Sequence, residues 1–210
     1  EPAGRIRLNV LEHAASLLLA PVLPRFVDLY PDIEIDVSVS NHLEDVIGEG
    51  FDAGIRYGGT VPEDMIARRL SADIRWVVVG APDYLLRFGT PEHPRDLQNH
   101  RCLKIRLGDE NIYHWEFEKA GAELALNVPG AITIDDTQFA LNLAVSGTAL
   151  AYLPEPCVTP FVAMGQLKTV LDDWSPMGGG FHIYYSSRHQ VPTGLKLLID
   201  LIRDIKPLGL

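Results

Sequence analysis

Polar and apolar residues alternate through Arg5-Ile6-Arg7-Leu8-Asn9-Val10, the period of a strand with one buried face. Residues 13–30 switch to helical spacing, with Leu17, Leu18, Val22, Phe26 and Leu29 roughly on one side. Pro21 and Pro24 predict that this helix is kinked or split in two, because proline removes a backbone donor and clashes with the preceding turn. After the turn Tyr30-Pro31-Asp32, strict alternation from Ile33 to Ser40 predicts a second strand. Asn41-His42-Leu43-Glu44 has the form of an N-cap followed three residues later by Glu, and predicts a short helix to about residue 49. Residues 51–56 read as a third strand. Strand, helix, strand, helix, strand is a parallel α/β layout with right-handed crossovers.

A longer β-rich run covers residues 74–80 and ends at Ala81-Pro82, and a second α/β region follows. Residues 102–106 read as a strand, and 115–118 and 124–128 as strands paired around Lys119-Ala120-Gly121. Asp135-Asp136 is placed to cap a helix over 137–146, with Gly147 suited to its C′ position. A strand over 149–153 stops at Pro154, a helix over 158–164 stops at Gly165, and a strand covers 167–171. Residues 181–187 form the last β-run, and 193–205 an amphipathic helix with Leu195, Leu198, Leu201, Ile202 and Ile205 on one side. Gly178-Gly179-Gly180 is read as the most flexible point, a loop or a hinge.

Composition narrows the function. Hydrophobic residues make up 47% of the 210 and charged ones 22%, a globular balance. The net charge of −10 would repel duplex DNA, whose affinity for proteins comes mostly from Lys and Arg on phosphates. If the protein acts on DNA, another part of the polypeptide must do the touching. The two cysteines, Cys102 and Cys157, have no zinc spacing and read as reduced thiols of a cytoplasmic protein, with a disulfide as the alternative. No run approaches the roughly 18 apolar residues of a membrane span, and no secretion signal is expected. The chain does not begin with Met, so Glu1 is read as the start of a fragment.

Taken in order, several motifs resemble one family. They are Ala20-Pro21-Val22-Leu23-Pro24-Arg25-Phe26 with Tyr30-Pro31, Glu49-Gly50-Phe51-Asp52-Ala53-Gly54-Ile55-Arg56-Tyr57-Gly58, and Ile66-Ala67-Arg68-Arg69-Leu70. Ala81-Pro82-Asp83-Tyr84-Leu85, Pro94-Arg95-Asp96-Leu97 with His100-Arg101-Cys102-Leu103, and Gly147-Thr148-Ala149-Leu150-Ala151-Tyr152-Leu153-Pro154 with Gly165-Gln166-Leu167 follow. Together they resemble the effector-binding domain of LysR-type transcriptional regulators over essentially the whole chain. The resemblance implies two Rossmann-like α/β lobes joined by two crossover strands, like type 2 periplasmic binding proteins, with a ligand cleft between them. Lobe one would be residues 1–78 plus 183–210 and lobe two 79–182, with crossovers at 75–80 and 181–187. It also implies a winged helix-turn-helix ahead of Glu1, a small-molecule effector, and DNA contact only through that absent domain. Dimers of this domain would pack lobe one antiparallel to lobe two of a second copy, through the first helix and the helix at Thr137, with a homotetramer at full length. A transport-type solute-binding protein of the same fold is the alternative.

Ligands of open α/β sheets collect at the carboxyl ends of strands and at helix starts, where backbone N–H groups are unpaired. That selects His13-Ala14-Ala15-Ser16, Ser40-Asn41, Arg56-Tyr57-Gly58, Arg106, and Asp135-Asp136-Thr137. Each has a plainer role beside the ligand one. Arg56 pairs with Asp52 or another acid, Asn41 and Asp136 cap helices, and His13 is simply exposed. As a ligand contact His13 would make binding pH-sensitive, because imidazole titrates near physiological pH. No catalytic motif of the H-E-x-x-H, G-x-S-x-G, Walker A or G-x-G-x-x-G type occurs, and no metal or cofactor site is expected.

Overall fold

The computed structural model describes residues 2–42, 45–46, 48–59, 65–186 and 189–210. In chain order the strands begin with β1 (Gly4–Val10), β2 (Ile33–Val39), β3 (Ala53–Tyr57), β4 (Met65–Arg69) and β5 (Ile74–Gly80). They continue with β6 (Lys104–Arg106), β7 (Ile112–Tyr113), β8 (Trp115–Lys119), β9 (Ala122–Leu126) and β10 (Thr133–Ile134). β11 (Ala151–Pro154), β12 (Lys168–Val170), β13 (Met177–Gly178) and β14 (Phe181–Ser186) complete the set. The helices are α1 (Glu12–Ala14), α2 (Leu23–Leu29), α3 (Pro82–Phe88), α4 (Thr137–Val145), α5 (Glu155–Ala163) and α6 (Thr193–Ile205). The chain divides into two compact units, Glu1–Asp73 with Gly179–Leu210, and Ile74–Gly178. β5 lies wholly in the second unit and β14 wholly in the first.

The first unit is a five-stranded sheet of order β2-β1-β3-β14-β4. β1 pairs in parallel with β2 and β3, as the alternating pattern predicts, whereas β14 returns antiparallel against both β3 and β4. Ile6, Leu8 and Val10 on β1 are fully buried, as are Phe26 of α2 and Leu195, Leu198 and Ile202 of α6. The helix predicted over 13–30 is indeed split. α1 runs into a π-helical turn at Ala15–Leu19, the chain turns through Ala20-Pro21, and α2 restarts with Pro24 in its first turn, where no donor is needed. β4 has no counterpart in the periodicity. It is an edge strand with mostly exposed side chains, so nothing selects alternation, and Arg68 and Arg69 guard the edge against pairing with other chains.

The helix predicted over 41–49 requires a correction. Its described residues form bends and turns, closed by Glu49 N–H to Asp45 O and by Gly48 N–H to the Asp45 carboxylate; Leu43, Glu44 and Ile47 lie outside the described residues. Asn41 bonds to a neighbouring element. Its side-chain oxygen accepts from the Glu12 N–H at 3.3 Å, at the start of α1.

The second unit is built around β5, whose continuous apolar run is buried on both faces, as central strands covered on both sides are. Val77 and Val79 face a cluster with Leu141 and Ala144 of α4, Leu153 and Val158. Val78 faces another, with Tyr84, Trp115, Phe117 and Tyr152. β8 and β9 form the predicted hairpin around Ala120 and Gly121, both at positive φ. Asp136 caps α4 by accepting from the Phe139 N–H at 2.6 Å, and Gly147 follows the helix at φ 73°.

The glycine run has a packing reason rather than a flexibility reason at its last member. A Cβ on Gly180 would lie 2.2 Å from the Ala72 carbonyl oxygen, while one on Gly179 would meet nothing closer than 3.7 Å. Gly180→Ala should therefore cost about 1–3 kcal/mol of stability through overpacking. Gly179→Ala should cost less than about 0.5 kcal/mol. Urea denaturation of the two variants checks this; equal midpoints would refute the close-approach argument.

Candidate functional site

At the carboxyl ends of β1, β2 and β3 the first unit gathers several of the residues singled out in the sequence. The ladder itself brings them there. Leu11 N–H donates to Ile55 O at 3.2 Å and Ser40 N–H to Val10 O at 2.9 Å, so the chain leaves all three strands at one level. Arg56 is only 2% exposed, with its guanidinium inside the unit. It donates to the carbonyls of Ile55 (2.9 Å), His42 (3.2 Å) and Asn9 (3.3 Å), and also to the Asn9 side-chain oxygen. The ion pair with Asp52 offered by the sequence is not made. The Asp52 carboxylate accepts from the Arg7 N–H at 2.7 Å instead.

Asn9 is the buried partner of Arg56 that sequence reasoning missed. Alternation assigns it to the polar face of β1 with Arg5 and Arg7, yet it is 0% exposed. Nothing in the local pattern marks the point where that face becomes covered. Only a buried arginine on a neighbouring strand gives Asn9 its role.

Above this buried cation lies a layer of rings and neutral polar groups. His13 Nδ1 and the Tyr57 hydroxyl are 2.5 Å apart, and Tyr57 stacks on Phe181 at a centroid distance of 4.6 Å. Desolvation pushes the His13 imidazole down from 6.5 to about 4, so at neutral pH it is uncharged. This corrects the expectation of pH-sensitive binding through His13, since its charge change now falls well below physiological pH. Ala14 is fully buried and offers only backbone, while Ala15 and Ser40 are half-buried and Asn41 is exposed. Gly58 donates its N–H to Gly180 O at 2.9 Å, and a Cβ there would meet the His182 ring at 2.9 Å. The close approach of the β14 turn explains the glycine.

In the second unit, the parallel register of β6 and β10 pairs Thr133 with Lys104 and Ile134 with Ile105, so Arg106 and Asp135 emerge side by side. Their charged groups are 3.6 Å apart, and Arg106 also lies 3.7 Å from Glu110. Asp136 is engaged as the α4 cap, and Thr137 is half-buried in its first turn. Both cysteines are free thiols, and burial pushes Cys102 up to about 12. Among the described residues no cluster of ligating side chains is suited to a metal, and no helix is long and apolar enough to cross a membrane.

Two consequences can be measured. Asn9→Ala removes an acceptor from a buried cation and should cost about 1.5–3 kcal/mol, read from urea denaturation; a loss within error of zero would contradict the role given to Asn9. His13 has a folded pKa below its unfolded one, so the unfolded state binds more protons between them. Its contribution is complete above pH 6.5 and is lost as pH falls toward about 4. An NMR titration of the His13 ring should show a midpoint near 4; a midpoint above pH 6 would contradict its desolvation.

The comparisons with known proteins agree with this architecture. The family model described as the LysR substrate binding domain matches residues 1–206. The chain is 34% identical over 202 residues to the uncharacterized HTH-type transcriptional regulator YcaN of Escherichia coli K12, covering 96% of this chain and 66% of that protein. It is 33% identical over 203 residues to the HTH-type transcriptional regulator PgrR of the same organism, covering 96% and 68% respectively. The chain thus spans about two-thirds of the length of these relatives. Among solved structures it superposes on the Vibrio cholerae virulence activator AphB, a member of the LTTR family, with a TM-score of 0.85 at 23% identity, covering 97% of this chain and 69% of that one. The regulatory domain of CrgA from Neisseria meningitidis gives a TM-score of 0.84 at 24% identity, covering 98% and 100%. With the family model running from the first residue of β1's lead-in to the end of α6, this chain belongs to the LysR substrate-binding domain family.

Proposed function

We propose that this chain is the effector-sensing part of a cytoplasmic transcriptional regulator, and that a small molecule is read at the carboxyl ends of β1, β2 and β3. DNA contact belongs to a winged helix-turn-helix outside these residues, consistent with the charge of −10. The domain works as a homodimer, and as a homotetramer at full length. The observation that carries the reading is the convergence of Ser40, Asn41, His13 and Tyr57 on one end of the parallel strands. Arg56 lies beneath them and acts as their support rather than as an open anion receptor. The family resemblance adds Gly58, and from the second unit Arg106, Asp136 and Thr137, as further contacts. Ligand preference for one conformation over another then shifts the population that the DNA-binding parts report. No observation favours the transport reading.

A thermal-shift screen of small metabolites tests this. A specific binder at 100 times its Kd stabilises by about 2.7 kcal/mol, roughly 5–10 °C for a chain of this size. Tyr57→Phe and Asn41→Ala should each weaken it by about tenfold or more, having removed a polar partner from a desolvated contact. Hits whose affinity ignores both changes would place recognition elsewhere. Sizing of the chain at high concentration should give a dimer, and a strict monomer would count against the assembly.

A further inference from the structure

Acidic residues outnumber Lys and Arg by 28 to 18, so an exposed arginine of this chain has acids in excess to pair with. Arg5, Arg7, Arg69, Arg75 and Arg106 do pair. Arg87 and Arg101 of the second unit do not. Both are exposed, and neither guanidinium forms an ion pair or a hydrogen bond with a described residue. Asp83 stands one turn before Arg87 on α3, the usual spacing for such a pair, and still no ion pair forms. The two guanidiniums instead lie over one ring, that of Phe88, at 5.0 and 4.7 Å from its centroid. The ring attracts each cation through its quadrupole but carries no net charge. Two cations therefore share one patch with no counter-charge paired to them among the described residues.

The core holds this patch in place. Tyr84 is 0% exposed, packs on Phe88 at a centroid distance of 4.8 Å, and accepts from the Arg101 N–H at 3.0 Å through its hydroxyl. The Arg101 carbonyl in turn accepts from the Leu150 N–H at 2.8 Å. The backbones that carry the two arginines are thus fixed to each other. Leu86, which precedes Arg87, is 84% exposed. An apolar side chain beside two cations lets a partner bury surface as well as neutralise charge.

That combination decides the class of partner. A guanidinium presents a fork of donors that matches a carboxylate in bidentate geometry. Duplex DNA would offer phosphates, but the charge of −10 opposes its approach, and a phosphate backbone gives Leu86 nothing to pack on. A free anion would likewise leave Leu86 in water. We infer that Leu86, Arg87, Phe88 and Arg101 form a docking surface for an acidic protein segment that carries an apolar side chain. Carboxylates of the segment pair with Arg87 and Arg101, and its apolar side chain covers Leu86. This surface uses none of the residues assigned to the effector.

Fluorescence anisotropy tests the assignment with a labelled peptide of Glu and Asp around a central Leu-Phe pair, its Gln and Asn analogue, and a labelled duplex DNA. The acidic peptide should bind saturably, and more weakly as salt rises. The uncharged analogue should bind about tenfold more weakly or worse. Arg87→Glu and Arg101→Glu should each raise the acidic peptide's Kd by about tenfold or more, and Leu86→Ser by about threefold. Arg203→Glu makes the same change of net charge at an exposed arginine of α6, and should leave the Kd within about twofold. Amide NMR spectra of the unmodified chain give an answer that does not depend on the variants folding. The acidic peptide should move the resonances of Leu86, Arg87 and Arg101 and leave that of Arg203 in place. No saturable binding of the acidic peptide, an equal loss in Arg203→Glu, or tighter binding of the duplex would each overturn the proposal. So would loss of the dimer in Arg87→Glu, which would make the patch an interface between copies of this chain. The effector screen is read at Tyr57 and Asn41, so failure here leaves that reading standing on its own test.

Discussion

A charged guanidinium buried inside the first unit is the constraint on which the carboxyl end of its sheet depends. Desolvating a cation costs several kcal/mol unless acceptors surround it. For Arg56 the acceptors include carbonyls from β1, β3 and the turn at His42, and the side chain of Asn9. Those acceptors come from segments far apart in sequence, so these bonds form only when β1, β3 and the turn after β2 are all in place. The burial that makes Arg56 expensive thus also makes the local geometry specific.

The layer above the cation follows from this arrangement. The same strand ends carry Tyr57, His13, Ser40 and Asn41, and His13 is uncharged at neutral pH. The stack of Tyr57 on Phe181 ties β3 to β14, the strand that enters the sheet from the far end of the chain. This end of the sheet is therefore held by β14 as well as by β1, β2 and β3.

The same sheet has chemically different ends. Its carboxyl end is neutral and aromatic around a buried cation, while its amino end holds Asp52 beside a cavity of mixed polar and apolar lining. In the second unit the polar candidates are largely engaged in local structure, Asp136 as a helix cap and Arg106 between Glu110 and Asp135. The two units thus differ in how their strand-end residues are used, although both are α/β layers with a well-covered central strand.

Much of this was legible in the sequence because it is local. Alternation marked β1 and β2, the continuous apolar run marked β5, and 3.6-residue spacing marked α6 with its bounds at Thr193 and Ile205. Asp136 and Gly147 punctuate α4 through chemistry that needs only neighbouring residues. The ordered motifs carried the family, since their spacing reflects a chain path shared along the whole length. What the sequence could not determine depends on partners distant in the chain. Whether Arg56 pairs with Asp52 or lies among carbonyls, that Asn9 leaves the polar face, that Asn41 reaches the start of α1, and that β14 lies between β3 and β4 were decided only by the tertiary structure. Each of those outcomes is set by which backbone groups the packed strands bring within hydrogen-bonding distance, and burial makes satisfying them obligatory.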